Sequence, residues 1–351
     1  MSHGRVGSYR VLKAGDKMKS TLCKLLSLIL VFVLCLPVQA EKRKYAYPYA
    51  LKTIGIDHIE DIHTDKKLTV AVIDTGVSLG TFTLYFKKSR LSKKSINLVT
   101  GKKGVSAVYD GDEGHGTRVA SIIAKGTPDN VSIMVIKISN TKEYSLDYIE
   151  KGIRYAIDNG ADVINISSTG ILNGCSADAF TASSVFKEAE EKGIPIVCCA
   201  GNQGRYYSLD DEIFCYPVGM KYSNIFGIGS LGVSGNTLIH SSFSNQGYFV
   251  DYEVIGEHVK VPYFSSVAEN GAIHQKMGIC YDTGTSISAP IFTCAVCLTL
   301  LEYYKQGNKE ANKDTIQAID RVLKGSERDV GGIPLIDMTK VINNLREDTW
   351  K

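Results

Sequence analysis

From Leu68 to Cys199 the chain alternates short β-branched runs with stretches of helical period, and this alternation constrains the fold more than any other feature. LTVAVI (68–73), SIMVIKI (132–138), VINI (163–166) and IPIVCC (194–199) read as strands. Between Ser145 and Asn159, Leu146, Ile149, Ile153, Ala156 and Ile157 recur at the spacing of an amphipathic helix, with Ser145 placed to cap its start and Gly160 its end. A second helix is expected from about Asp178 to Lys192, stopped by Gly193. Strand, helix, strand, helix, strand at these intervals predicts a three-layer α/β fold, with a mostly parallel central sheet and helices on both faces. In such sheets functional residues gather just beyond the carboxyl ends of the strands. No repeat, low-complexity tract or Pro-rich linker interrupts the chain after Tyr45, so residues 41–351 are expected to form one domain.

The first 40 residues are of another kind. Leu25 to Leu36 is apolar except for Ser27; Lys19 and Lys24 precede it, and Pro37, Val38, Gln39 and Ala40 follow. A basic start, a short apolar run and a small-residue cut site predict a secretory signal peptide over 1–40, removed after Ala40, and a secreted or periplasmic product. A start at Met18 also gives a compact signal. A retained anchor fits poorly, because twelve residues do not cross about 30 Å of hydrocarbon as a helix, and Leu34 before Cys35 is too large for a lipoprotein signal. Residues 1–40 hold six basic side chains and one acidic one, so of the net charge of +3 the remainder carries −2. That near-neutral body offers no electrostatic reason for a nucleic-acid partner. With 44% hydrophobic and 22% charged residues, the chain is neither disordered nor collagenous nor a polytopic membrane protein.

Loss of the signal leaves seven cysteines, an odd number, so at least one thiol stays free. Cys198, Cys199, Cys294 and Cys297 lie in apolar runs and read as small buried hydrophobes; no neighbouring His or second Cys pair completes a metal site. Cys175 with Cys215 is the pair to test first for a disulfide.

Four polar segments stand at expected strand ends or helix starts: Asp74-Thr75-Gly76, His115-Gly116-Thr117, Ala200-Gly201-Asn202, and Gly284 to Pro290 leading into an apolar helix that reaches about Tyr304. Acyl transfer asks for what these residues offer. A serine hydroxyl becomes a nucleophile when a histidine removes its proton, and a buried carboxylate holds that histidine in the required tautomer. Ser286 at a helix N-terminus points its own N–H at a developing oxyanion, and the Asn202 amide donates from the other side. Gly201 and Gly284 leave room where a Cβ would obstruct a substrate.

These segments, VAVIDTGV (70–77), GHGTRVA (114–120), AGNQG (200–204) and GTSISAP (284–290), resemble the subtilisin family (subtilases, S8-type) of serine peptidases and occur in that family's order. Weaker echoes lie in VINISSTG (163–170), CYPV (215–218) and SSFSNQG (241–247). The resemblance spans roughly Tyr45 to Tyr304. It implies a subtilisin-like fold and a secreted endopeptidase with Asp74, His115 and Ser286 as triad and Asn202 with Ser286 at the oxyanion hole. It also implies substrate binding by Ser167, Ser168, Thr169 and Gly170 as an edge strand, with Cys215 at the pocket floor.

Two other readings compete. Asp-Thr-Gly occurs at both Asp74 and Asp282, as in pepsin-like aspartic peptidases whose carboxylates share a proton; that architecture is β-rich, and it leaves HGT and AGN unexplained. A catalytically silent binding module is the non-enzyme alternative, but a binder needs none of the four chemical groups.

The chain also departs from the resemblance. Only 27 residues separate Ala40 from Leu68, so an N-terminal inhibitor domain is not expected, and restraint by a separate protein inhibitor is the alternative. Sixteen residues between His115 and Ser132 leave little room for a calcium loop, and no regular ligand loop appears elsewhere, so calcium has no support and no cofactor is expected. Ser168, Thr169 and Cys215 should shorten the pocket and favour small or medium residues before the cut bond. Asp112 and Glu113 read as a solvated loop. The partner is a peptide or protein, and the chain is expected to act as a monomer.

Overall fold

The computed structural model describes residues 48–347 apart from 60, 61, 63, 111–113, 141–143, 175–182, 270, 271 and 309. The expected Asp178 start of a helix, Cys175, and the Asp112–Glu113 pair lie outside the described residues. Besides three short 3₁₀ turns, the chain runs α1 (Pro48–Thr53), β1 (Leu68–Asp74), α2 (Leu79–Tyr85), β2 (Ile96–Asn97), β3 (Lys102–Lys103), α3 (His115–Gly126), β4 (Val131–Lys137) and α4 (Leu146–Asp158). It continues through β5 (Val163–Ile166), β6 (Gly170–Asn173), α5 (Ser184–Glu191), β7 (Ile196–Cys199), β8 (Tyr206–Tyr207), β9 (Ile213–Tyr216), β10 (Ile225–Ser234), β11 (Thr237–His240), β12 (Gln246–Gly247) and β13 (Tyr252–Ile255). A hairpin of β14 (Val259–Glu269) and β15 (Ala272–Asp282) leads into α6 (Thr285–Lys305), and α7 (Lys313–Gly325), β16 (Glu327–Val330), β17 (Ile333–Ile336) and α8 (Met338–Arg346) close the chain.

The sheet order β11-β10-β7-β5-β1-β4-β2-β3, with β13 also on β10, is parallel except where β11 and β3 join. β1 is wholly interior, flanked by β4 on one side and β5 on the other. Its neighbours therefore leave in opposite directions, and the crevice beyond its carboxyl end is the place where a doubly wound sheet offers a site. Because side chains alternate across a strand, Ala71 and Ile73 point into a cluster with Ile149 and Ile153 of α4 and Val185 and Phe186 of α5. On the opposite face α6 packs against α3 and against β5, β7 and β10.

The expected elements survive with local shifts. α4 ends one residue before Asn159, with Gly160 in the left-handed conformation at φ 76°; Ser145 takes the N-cap position without a capping hydrogen bond. α5 begins at Ser184, and Gly193 follows at φ 64°. β7 begins at Ile196 rather than Ile194, because Pro195 has no N–H to give a ladder. α6 shows no amphipathic period, and the reason is its position: Ile287 to Leu301 are buried around the whole helix. It is the one helix among the described residues long and apolar enough to cross a membrane, yet 94% of that stretch is buried inside the fold.

Candidate active site

Asp74 is the last residue of β1, where the ladder ends and its side chain meets the N-terminus of α3. His115 Nδ1 donates to Asp74 Oδ1 at 2.8 Å, and the Thr75 N–H donates to the same oxygen at 2.7 Å. The carboxylate is almost wholly buried while the imidazole keeps 22% of its surface, so the pair presents one ring edge outward. Burial lowers the His115 pKa, but the charge and hydrogen bond of Asp74 outweigh it, and the net shift is upward.

A second layer holds this pair. Thr75 Oγ1 donates to Asp110 Oδ1 at 2.8 Å and accepts the Gly116 N–H at 2.9 Å. Asp110 Oδ2 accepts from the backbone and hydroxyl of Thr117 at 2.8 and 2.6 Å. Burial raises the Asp110 pKa and these hydrogen bonds oppose it. Lys137, paired with Asp74 across β1 and β4, donates to the carbonyls of Thr75 and Tyr109 at 2.7 and 2.8 Å. Gly116 is required here: a Cβ would stand 2.3 Å from the Gly76 carbonyl. Asp110 and Lys137 were not among the expected residues; the first is an acid five residues before His115, and the second is a lysine inside an apolar strand, a pattern that asks for a buried partner.

Ser286 is the second residue of α6 and partly exposed. Thr285 donates to Asn202 Oδ1 through its N–H and its hydroxyl, both at 2.9 Å, and accepts the Gly201 N–H at 3.0 Å. Since a backbone N–H only donates, Asn202 must turn its carbonyl to Thr285, and its amide nitrogen remains to face the cleft. A Cβ on Gly284 would lie 3.2 Å from Ser286 Oγ and 3.3 Å from Asn202 Nδ2, so hydroxyl and amide flank one small space. Gly201 serves a different purpose from the one expected. At φ 97° its missing Cβ leaves room for Asn245 rather than for a substrate. Asn245, from the SSFSNQG segment, is fully buried and ties down this turn: its amide donates to the Ala200 carbonyl and its oxygen accepts the Gln203 N–H, both at 3.0 Å. Ser286 and His115 border the same cleft without a hydrogen bond between them; catalytic contacts of this kind tighten as substrate closes a site.

The cleft, of about 360 Å³, is bordered by Asp74, His115, Asn202, Ser286 and Ser167 to Thr169. Two expectations need correction. Ser167, Ser168 and Thr169 lie outside any strand, and only Gly170 is in one, β6, whose partner is β9 within the chain. Their backbone thus borders the cleft without being committed to a ladder. Cys215 is fully buried, pairs with Ile171 across that ladder, and does not border the cleft. The thiol that does is Cys199, where Thr169 Oγ1 donates to its carbonyl at 2.6 Å. Burial pushes the Cys199 and Cys215 thiols up to about 11, so neither is a nucleophile at neutral pH. Cys198, Cys294 and Cys297 are buried as expected, and Cys215 carries a free thiol. Tyr144 and Arg118 also border the cleft and were missed, because nothing in their local sequence distinguishes them from surface residues.

Asp282 cannot share a proton with Asp74 here, because each carboxylate has its own cation or imidazole: Arg118 Nε lies 2.7 Å from Asp282 Oδ2. The pepsin-like reading also fails on architecture, since the sheet is mostly parallel and covered by helices.

Comparison with known proteins gives the family and the fold. The profile described as the subtilase family matches residues 65–329. Subtilisin DY of Bacillus licheniformis is 29% identical over 266 residues, covering 73% of this chain and 85% of the relative. The major intracellular serine protease of Bacillus subtilis is 30% identical over 251 residues, 69% of this chain and 70% of that protein. Among solved structures, a lanthipeptide protease superposes with a TM-score of 0.66 at 22% identity, over 86% of this chain and 95% of the other. The nisin leader peptidase NisP of Lactococcus lactis superposes with a TM-score of 0.64 at 19% identity, over 85% and 93%.

Proposed function

This chain belongs to the subtilase family and is a serine peptidase, and we propose that it cuts within peptide chains through an acyl-enzyme intermediate with Asp74, His115 and Ser286 as its triad. In this reading His115 takes the Ser286 proton as Oγ attacks the scissile carbonyl, and Asp74 holds the ring by its Nδ1–H and stabilises the imidazolium. The carbonyl oxygen becomes an oxyanion that accepts hydrogen bonds from the Ser286 N–H and the Asn202 amide. His115 then returns the proton to the departing amine, the C–N bond breaks, and water repeats the sequence to release the acid and restore the hydroxyl. The observation that carries the reading is the 2.8 Å bond from His115 to a buried carboxylate, on the same cleft as a partly exposed serine at a helix N-terminus. Thr169 and Cys199 border the cleft, and in this reading small or medium residues are favoured before the cut bond. The basic, apolar and small-residue pattern of 1–40 supports export of the mature protein.

Labelling with a fluorophosphonate probe at neutral pH tests the triad. Wild type should react, and Ser286→Ala and His115→Ala should not. Equal labelling of wild type and Ser286→Ala would remove Ser286 from the mechanism, and a wild type that neither labels nor hydrolyses an unfolded protein would favour the silent binding module.

A further inference from the structure

Ser167, Ser168 and Thr169 follow β5 as three consecutive hydroxyl residues, and all three border the cleft. Two of these hydroxyls are used inside the chain: Ser167 Oγ accepts from Asn165 Nδ2 at 3.0 Å, and Thr169 Oγ1 donates to the Cys199 carbonyl. Ser168 differs. Its Oγ is shut away from solvent and makes no hydrogen bond of ordinary geometry, with the phenol of Tyr144 beside it. Burial pushes that phenol up by more than the Ser168 hydroxyl draws it down, so Tyr144 keeps its proton.

Two adjoining hydroxyls bring two protons, and a bond between them uses only one. Among the described residues neither hydroxyl donates to a carbonyl or a carboxylate, so an acceptor is missing on this wall of the cleft. The rest of the lining is polar too. Ligand clefts are ordinarily walled by apolar and aromatic side chains, whereas here Ile138, Cys199 and the Tyr144 ring are the apolar surfaces among hydroxyls, amides and charges. An apolar side chain pressed against Ser168 and Tyr144 would drive out water and leave a donor unpaired. An ammonium or guanidinium brings donors only and cannot supply the acceptor. A carboxylate can, but the charge of Asp74 reaches Tyr144 and opposes a second negative group there. A neutral amide meets every condition.

We propose that Ser168 and Tyr144 form a polar subsite for a neutral amide side chain, Asn or Gln, in the part of the peptide before the cut bond. This rests on the peptidase reading, in which residues 167–170 hold that part of the substrate, and deepens it. A site built to hydrogen-bond a substrate group rejects the analogue that lacks it, because the buried donors are then stranded.

The test uses quenched fluorogenic peptides with alanine at the four places before the cut bond, into which Gln, Met, Lys or Glu, and in a second series Asn or Leu, are set one place at a time. Met matches Gln in size and Leu matches Asn. In wild type, kcat/KM at one of the four places should be about tenfold or more higher for the amide than for its apolar match, and higher than for Lys or Glu. In Ser168→Ala/Tyr144→Phe that preference should disappear, and cleavage of the all-alanine peptide reports whether the variant's site is assembled. The wild-type comparison needs no variant: apolar matches as good as the amides at all four places overturn the proposal, and so does Lys equal to Gln, since no acceptor would then be required. An amide preference that survives the double substitution takes it away from these two hydroxyls. Cleavage of the alanine peptide with none of these differences sinks this inference alone. Failure to cleave any peptide removes the peptidase reading and this inference with it.

Discussion

His115 shows how a single residue takes its behaviour from its surroundings. Its pKa lies above the ordinary 6.5, since Asp74 stabilises the charged ring by more than burial penalises it. Catalysis in the proposed mechanism needs the neutral ring, so the acid limb of kcat/KM is expected to have its midpoint above pH 6.5. Asp74→Asn should lower kcat about 10⁴-fold, because the ring then settles in the other tautomer, and should move that midpoint down. A pH–rate profile of wild type and variant checks both; a midpoint below 6.5 in wild type refutes the assignment. The sign of the linked stability follows. The folded state prefers charged His115, so its contribution is full below pH 6.5 and fades as pH rises through the higher folded value. The chemical groups themselves were legible as residue types, since Asp74, His115, Asn202 and Ser286 stand at strand ends and helix starts in the order of the motifs. Asp110, Lys137 and Asn245 were not, because each acts through backbone groups that adjoin it only after folding.

At the scale of elements, α3 carries the imidazole at one end and depends on Arg90 at the other. The Arg90 side chain is 4% exposed and donates to the carbonyls of Val131, Ala124 and Thr127 at 2.7, 2.9 and 3.2 Å and to Thr127 Oγ1 at 2.8 Å. It thus supplies a fixed cation to the carbonyl end of the helix, where the macrodipole is negative. Arg90→Met keeps the bulk and leaves these acceptors buried without partners. It should cost about 3 kcal/mol or more in urea denaturation, with no direct effect on the site; a loss below about 1 kcal/mol would show that water takes over the role. Strands and helices were read from the sequence to within a residue or two wherever apolar periodicity was strong, as in α4. The segment 167–170 was expected as an edge strand that pairs with a substrate; strand character depends on having a partner, and inside the chain only Gly170 has one.

For the whole molecule, burial of α6 determines where Ser286, the proposed nucleophile, sits. A helix surrounded by apolar neighbours cannot slide without exposing them, so Ser286 at its start is held at the sheet's rim by packing far from the chemistry. Export is the other property at this scale. If the proposed signal is removed, the protein recovered outside the cell should begin at Glu41, which N-terminal mass analysis of the secreted form reads directly. A cell-retained chain that keeps residues 19–36 would refute it.

The sequence by itself determined the layer order, the start of the helix that carries His115 and the residue types of the proposed reacting groups, because strand and helix periods and the small polar motifs are local properties. Tertiary structure alone decided what lies beside them: Cys199 rather than Cys215 at the cleft, Arg118 on Asp282, and Tyr144 beside Ser168. Such neighbours come from distant parts of the chain, and contact between them is set by how whole elements pack.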